Sequence, residues 1–307
     1  MRSGMVLELL IGPKKAERKP WDVFFLGMLY SSIAMFLSVV IFKEQASIIM
    51  VLLTVIASLP FVHRTFSREE KMDEKLATER GRLRQHWHAL KFLILLFLGF
   101  VISFSVWYVF LPDEMMQVSF NSQIQTIQNI NARVAAITGN VITGENIIST
   151  NNVISSSVTS ASKLYFQILT NNVKVLLFSI FFAFFYGAGA IFILTWNASV
   201  ISAAIGNFVR NNIGEYATQI GWAQVGGYFH TFSLGFLRYF VHGIPEILAY
   251  FIGGLAGGII SFAVIKHEFG TENFKKIILD AVDLIMLAFI TLVAAGLLEV
   301  YITPAFF

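Results

Sequence analysis

The chain has 307 residues, of which 56 % are hydrophobic and only 13 % charged, and its mean hydropathy is +0.70. Soluble domains carry about 25 % charged residues, so a soluble fold of this length would expose large apolar patches, and lipid is the more economical surrounding. The formal charge of +3 does not indicate nucleic acid, because the basic residues gather beside apolar runs. The absence of cysteine excludes disulfides, thiolate metal sites and cysteine nucleophiles.

In chain order, Lys14, Lys15, Arg18 and Lys19 precede a first uncharged run, Val23–Phe42. The run is too long for a signal-peptide core and reads as a retained span. Ala46–Phe61 follows across the short link Lys43-Glu44-Gln45, which predicts a helical hairpin. Phe92–Leu111 is a third run, Val175–Thr195 a fourth, Ile247–Ile265 a fifth and Ile277–Leu298 a sixth. Trp196–Pro245 is ambiguous: Asn197–Val209 is apolar but covers only about half a bilayer, and Tyr228–Val241 is interrupted by Gly235 and Arg238. Either a short span plus a re-entrant helix lies here, or the whole stretch stays on one side.

Positive charge sets orientation. The N-terminal segment and the link His63–Lys91, which carries eight Lys and Arg residues, are expected in the cytoplasm. Asp113–Asn172, with only Arg133 and Lys163, is expected outside. Lys266, Lys275 and Lys276 place the last loop in the cytoplasm, which requires Asn197–Val209 to cross and gives seven crossings with an extracellular C-terminus. His63–Lys91 mixes its basic residues with five Asp and Glu, suiting a solvated, ion-paired helix that sets topology or docks a cytoplasmic partner. In Asp113–Asn172, apolar residues recur at helical spacing, from Phe120, Ile124 and Ile127 to Tyr165 and Ile168. This predicts two amphipathic helices turning near Gly139 and Gly144, folded back or lying on the outer membrane face. Their nearly uncharged polar faces suit packing against a partner.

Ionisable groups at membrane depth need partners or a wet cavity. His242, Glu246 and Glu299 are expected at similar depth near the outer side. Such a group suits a proton or cation site, or equally a polar clasp between helices. Pro245 and Glu246 also read as an ordinary helix start, by fixed φ and dipole. Gly253 with Gly257, and Gly254 with Gly258, form small-xxx-small patterns for close helix approach, and Gly187 and Gly189 form a second small-residue group. No catalytic or metal-ligating pattern appears, and no cofactor is implied.

The stretch His242-Gly243-Ile244-Pro245-Glu246 with the glycines after it resembles the signature of the stage II sporulation protein M family. So do Asn171-Asn172 beside an apolar run, Trp196-Asn197-Ala198, and the closing Glu299-Val300-Tyr301-Ile302-Thr303-Pro304. Departures are Val241, where the family usually has Pro, and Ala198, where Gly often follows Asn. Lys14–Leu111 resembles the extended archaeal form. A member in spore-forming bacteria is a membrane scaffold for cell-wall hydrolases; those partners do not carry over to an archaeal-type chain. The resemblance implies a non-enzymatic integral membrane scaffold or assembly component; the embedded Glu and His residues support the alternative of a channel or permease-like transporter. Expected partners are the lipid bilayer and a second copy of the chain, as a dimer, or other membrane proteins, but no nucleic acid. The expected architecture is an all-α polytopic transmembrane bundle of about six or seven spans in the cell membrane. Residues 1–111 form an N-terminal membrane region, 112–171 an extracellular helical insert and 172–307 the core membrane domain, with re-entrant or broken helices.

Overall fold

The computed structural model describes residues 20–73, 79–138, 153–183, 188–213, 222–265 and 271–302. All regular structure among them is helical: α1 Pro20–Leu37, α2 Ala46–Asp73, α3 Glu79–Phe110, α4 Asp113–Thr138, α5 Val153–Ala183, α6 Ala188–Ile213, α7 Trp222–Ile265 and α8 Glu272–Leu297.

Among the described residues, six apolar helical stretches are long enough to cross a bilayer: Trp21–Thr65, His86–Phe110, Ala161–Ala183, Ile191–Asn212, Gly243–Ser261 and Phe274–Ile302. The first, at 45 residues, is about twice the length of one crossing. It folds back through a π turn, Ser38–Phe42, and a 3-10 turn, Lys43–Gln45, with Lys43 at φ 33°. The expected hairpin is therefore α1 and α2, which makes seven membrane-length arms among the described residues. Exposed Trp21, Phe25, Leu29, Ile33 and Phe36 line one face of α1, a lipid-facing stripe at helical spacing.

α7 is the central element, with 72 % of its apolar window buried, against 22 % for α5 and 28 % for α8. Close approach depends on glycine. A Cβ on Gly27 would lie 2.6 Å from the Leu96 carbonyl oxygen, and one on Gly99 would strike the Phe24 carbonyl, so α1 and α3 meet backbone to backbone. Gly253 meets Leu176 and Ile180 of α5, and Gly257 meets Ala183 and the Ile180 carbonyl. Gly254 and Gly258 are also buried.

Three expectations change. The fourth run, Val175–Thr195, is not one helix: α5 ends at Ala183 and α6 begins at Ala188. The spanning part of α5 starts earlier, at Ala161; Gln167, Thr170, Asn171 and Asn172 lower its hydropathy and hide it. Asn171 and Asn172 therefore sit inside a helix. Asn197–Val209 lies within α6, which has the length to cross. Pro245 is not a helix start: α7 runs 44 residues straight through it. Neighbouring helices can offset the missing N–H of such a proline, so the re-entrant break expected before Glu246 is absent between Trp222 and Ile265.

α4 folds back onto the bundle. Phe120, at a non-helical kink (φ −118°, ψ 17°), is fully buried against Phe104 and Tyr108, at ring-centroid distances of 6.4 and 5.0 Å. Gln123, also fully buried, donates through Nε2 to the Ser47 carbonyl (3.2 Å) and Ser199 Oγ (3.1 Å). Arg210 of α6 caps the end of α3, donating to the carbonyls of Tyr108 (3.0 Å) and Leu111 (3.1 Å) and pairing with Asp113 at 2.6 Å. The Gly139–Gly144 turn and the ionic side chains of 66–85 lie outside the described residues.

Candidate functional site: a carboxyl pair between α5, α7 and α8

Three helices converge at one end of the bundle. α7 supplies Glu246 and, one turn later on the same face, Tyr250. α5 supplies Asn172, 7 % exposed, whose Nδ2 donates to Glu246 Oε1. The third helix, α8, passes into a π turn at Leu298–Ile302 that carries Glu299. Such wide turns are rare and recur at functional positions. Tyr165 of α5 packs over Gly296, just before that turn; a Cβ there would lie 3.2 Å from its ring.

The carboxyl groups of Glu246 and Glu299 lie within interaction range of each other. Tyr250 is buried within electrostatic reach of both. Neither carboxyl makes a salt bridge among the described residues. Two neighbouring carboxylates in a low-dielectric setting do not both stay ionised without compensation.

The two expected glutamates thus come together, joined by Asn172. His242 lies on α7 one turn before Glu246, and its side chain is outside the described residues. Asn171 is exposed and stands apart. Asn197 donates to the Ile193 carbonyl of its own helix at 2.8 Å. Gly243 faces Ile201 across the α6–α7 contact, and Pro245 is half-buried beside the site. Gly187, and the surroundings of Gly189, lie outside the described residues. Tyr250 was not singled out by sequence, although its spacing from Glu246 was the available signal.

A second polar pair marks the opposite end of α8. Asp280 Oδ2 lies 3.0 Å from Nε2 of His86, a buried residue near the start of the α3 span. Glu299 follows Asp280 by nineteen positions, about 28 Å along a helix and close to the hydrocarbon thickness. Among the described residues no three His, Cys, Asp or Glu side chains are grouped to hold a metal ion.

Apolar helices of crossing length, a lipid-facing stripe and polar side chains paired between helices define a multi-pass α-helical membrane protein. The family profile described as stage II sporulation protein M matches residues 89–304, from the α3 span through the Glu299 turn, and the chain belongs to that family. No curated protein and no solved structure matches the chain.

Proposed function

We infer that the protein is a non-enzymatic membrane scaffold that assembles with partners through its α4 and α5 surface. The carrying observation is the mounting of α4. Phe120 and Gln123 fix its first half in the bundle, while Gln125, Gln128, Asn129, Ile130, Asn131 and Ala132 stay exposed. Exposed Phe166, Gln167, Thr170 and Asn171 continue this surface on α5, between exposed Lys163 and Lys174. A held, mixed polar and apolar face, uncharged along 125–132 of α4, suits a protein partner better than an anionic headgroup. The basic N-terminal segment and His63–Lys91 support a cytoplasmic N-terminus, with α4 and the C-terminus outside the cell membrane. The partner is a second copy of the chain, as a dimer, or another membrane protein.

A photo-cross-linking residue at Gln128 or Ile130, activated in native membranes, is expected to give one discrete protein adduct. Adducts with lipid alone at both positions contradict the scaffold reading. The half-buried carboxyl pair supports a second reading, a permease-like transporter. It predicts ion or proton flux in reconstituted vesicles that Glu246→Gln reduces; vesicles without flux exclude it.

A further inference from the structure

Two opposite charges stand on outward faces of membrane-length helices. Lys91 lies in the α3 stretch His86–Phe110 and Asp283 in the α8 stretch Phe274–Ile302, and both are exposed. Neither makes an ion pair or a side-chain hydrogen bond among the described residues. A charge on the lipid-facing side of a span is costly and calls for an opposite charge or for water.

The His86–Asp280 contact, at 3.0 Å, gives the two helices a common level, and both cross the bundle from it. Lys91 follows His86 by five positions and Asp283 follows Asp280 by three, about 7.5 and 4.5 Å of helix rise. The two charges therefore stand within about 3 Å of each other in depth. Within one chain they turn apart: His86 faces α8, and five positions place Lys91 about 140° round α3 from it. Around Asp283, one turn or two away on the same face, Leu279, Met286, Leu287 and Ile290 are exposed. Exposed His88 and half-buried Leu95 flank Lys91 on α3.

We propose that the α3 and α8 faces form an interface between two copies of the chain, in which Lys91 of each copy pairs with Asp283 of the other. The argument is charge complementarity at equal depth. A two-fold axis along the membrane normal keeps both copies at one level. Opposite charges at that level, on two faces of the same molecule, then meet twice. A cationic partner of another kind would satisfy Asp283 and leave Lys91 unpaired; a second copy satisfies both. Polar pairing supplies what apolar side chains lack in lipid, where they gain little by touching one another. The surface differs from the α4–α5 face, and the proposal stands whether or not that face takes a partner.

The test uses the full chain in liposomes, as two differently tagged forms produced together. One carries Lys91→Cys and the other Asp283→Cys; the chain has no other cysteine. A mixed pair keeps one of the two ion pairs intact. A short bis-maleimide is expected to yield a species carrying both tags, in excess of either form joined to itself. Absence of that species, or yields no greater than those of the like pairs, overturns the proposal. A second measurement is energy transfer between labelled copies diluted in lipid, which gives the dimer Kd. Lys91→Glu and Asp283→Lys are each expected to raise it about tenfold, by placing like charges across the interface. Combining the two substitutions in one chain is expected to restore it. A monomeric unaltered chain, or a combined variant as weak as the single ones, overturns the interface. Should a single reversal fail to insert, the unaltered chain and the cysteine pair still decide.

Discussion

Asn171 and Asn172 are adjacent in sequence, and both belong to the family resemblance, yet the fold treats them oppositely. Asn172 is buried and donates to Glu246; Asn171 is exposed. Interhelical side-chain hydrogen bonds in membranes average about 0.6 kcal/mol and reach about 1.7, and a carboxyl acceptor places this one toward the upper end. Asn172→Leu is therefore expected to lower stability by about 1–2 kcal/mol, and Asn171→Leu to leave it unchanged, in equilibrium unfolding from mixed micelles. Equal effects at both positions would contradict the assignment. Glu246 and Glu299 were legible in the sequence because a carboxyl in an apolar run stands out. The roles of Asn172 and Gln123 were not, because their partners lie 74 and 76 positions away, and no local pattern encodes such a pairing.

At the scale of elements, hydropathy found most helices but misplaced one boundary. A window average treats Thr170, Asn171 and Asn172 as loop-like, yet a helix accepts them at this depth when a neighbour supplies the acceptor. For the same reason Pro245 read as a start, whereas packing carries α7 through it. The α2 extension past Phe61 follows the charged pattern as far as Asp73. Glycine packing was partly legible: the Gly253 and Gly257 spacing signalled close approach, while single Gly27 and Gly99, on different helices, gave no pattern. Yet this pair fixes the α1–α3 contact most directly. Gly99→Ala drives a methyl into the Phe24 carbonyl and is expected to destabilise by about 1–3 kcal/mol. Gly226→Ala, with nothing within 4 Å of its Cβ position, is the control and is expected to be neutral or slightly stabilising. Thermal melts of the two variants in detergent check the difference; matching melts would mean that α1 and α3 do not meet at glycine.

At the scale of the whole molecule, the composition already favoured lipid over water as the surrounding, and the structure places Asn197–Val209 within helix α6. That assignment fixes the arrangement of the site. If α6 crosses, the hairpin tip at Lys43, the base of α4, Glu246 and Glu299 all lie toward one face, while His86 and Asp280 lie toward the other. Without that crossing, the start of α8 would have to return to the side of α4, and the observed pairing of Asp280 with His86 at the far end of the bundle would be impossible. The cysteine-free sequence allows a clean test. Gln125 on α4 and Lys276 on α8 are both exposed and are separated by α5, α6 and α7. In sealed vesicles of one orientation, a membrane-impermeant maleimide is expected to label only one of Gln125→Cys and Lys276→Cys, and the other only after permeabilisation. Labelling of both from the same face before permeabilisation would contradict the crossing of α6 and the bundle built on it.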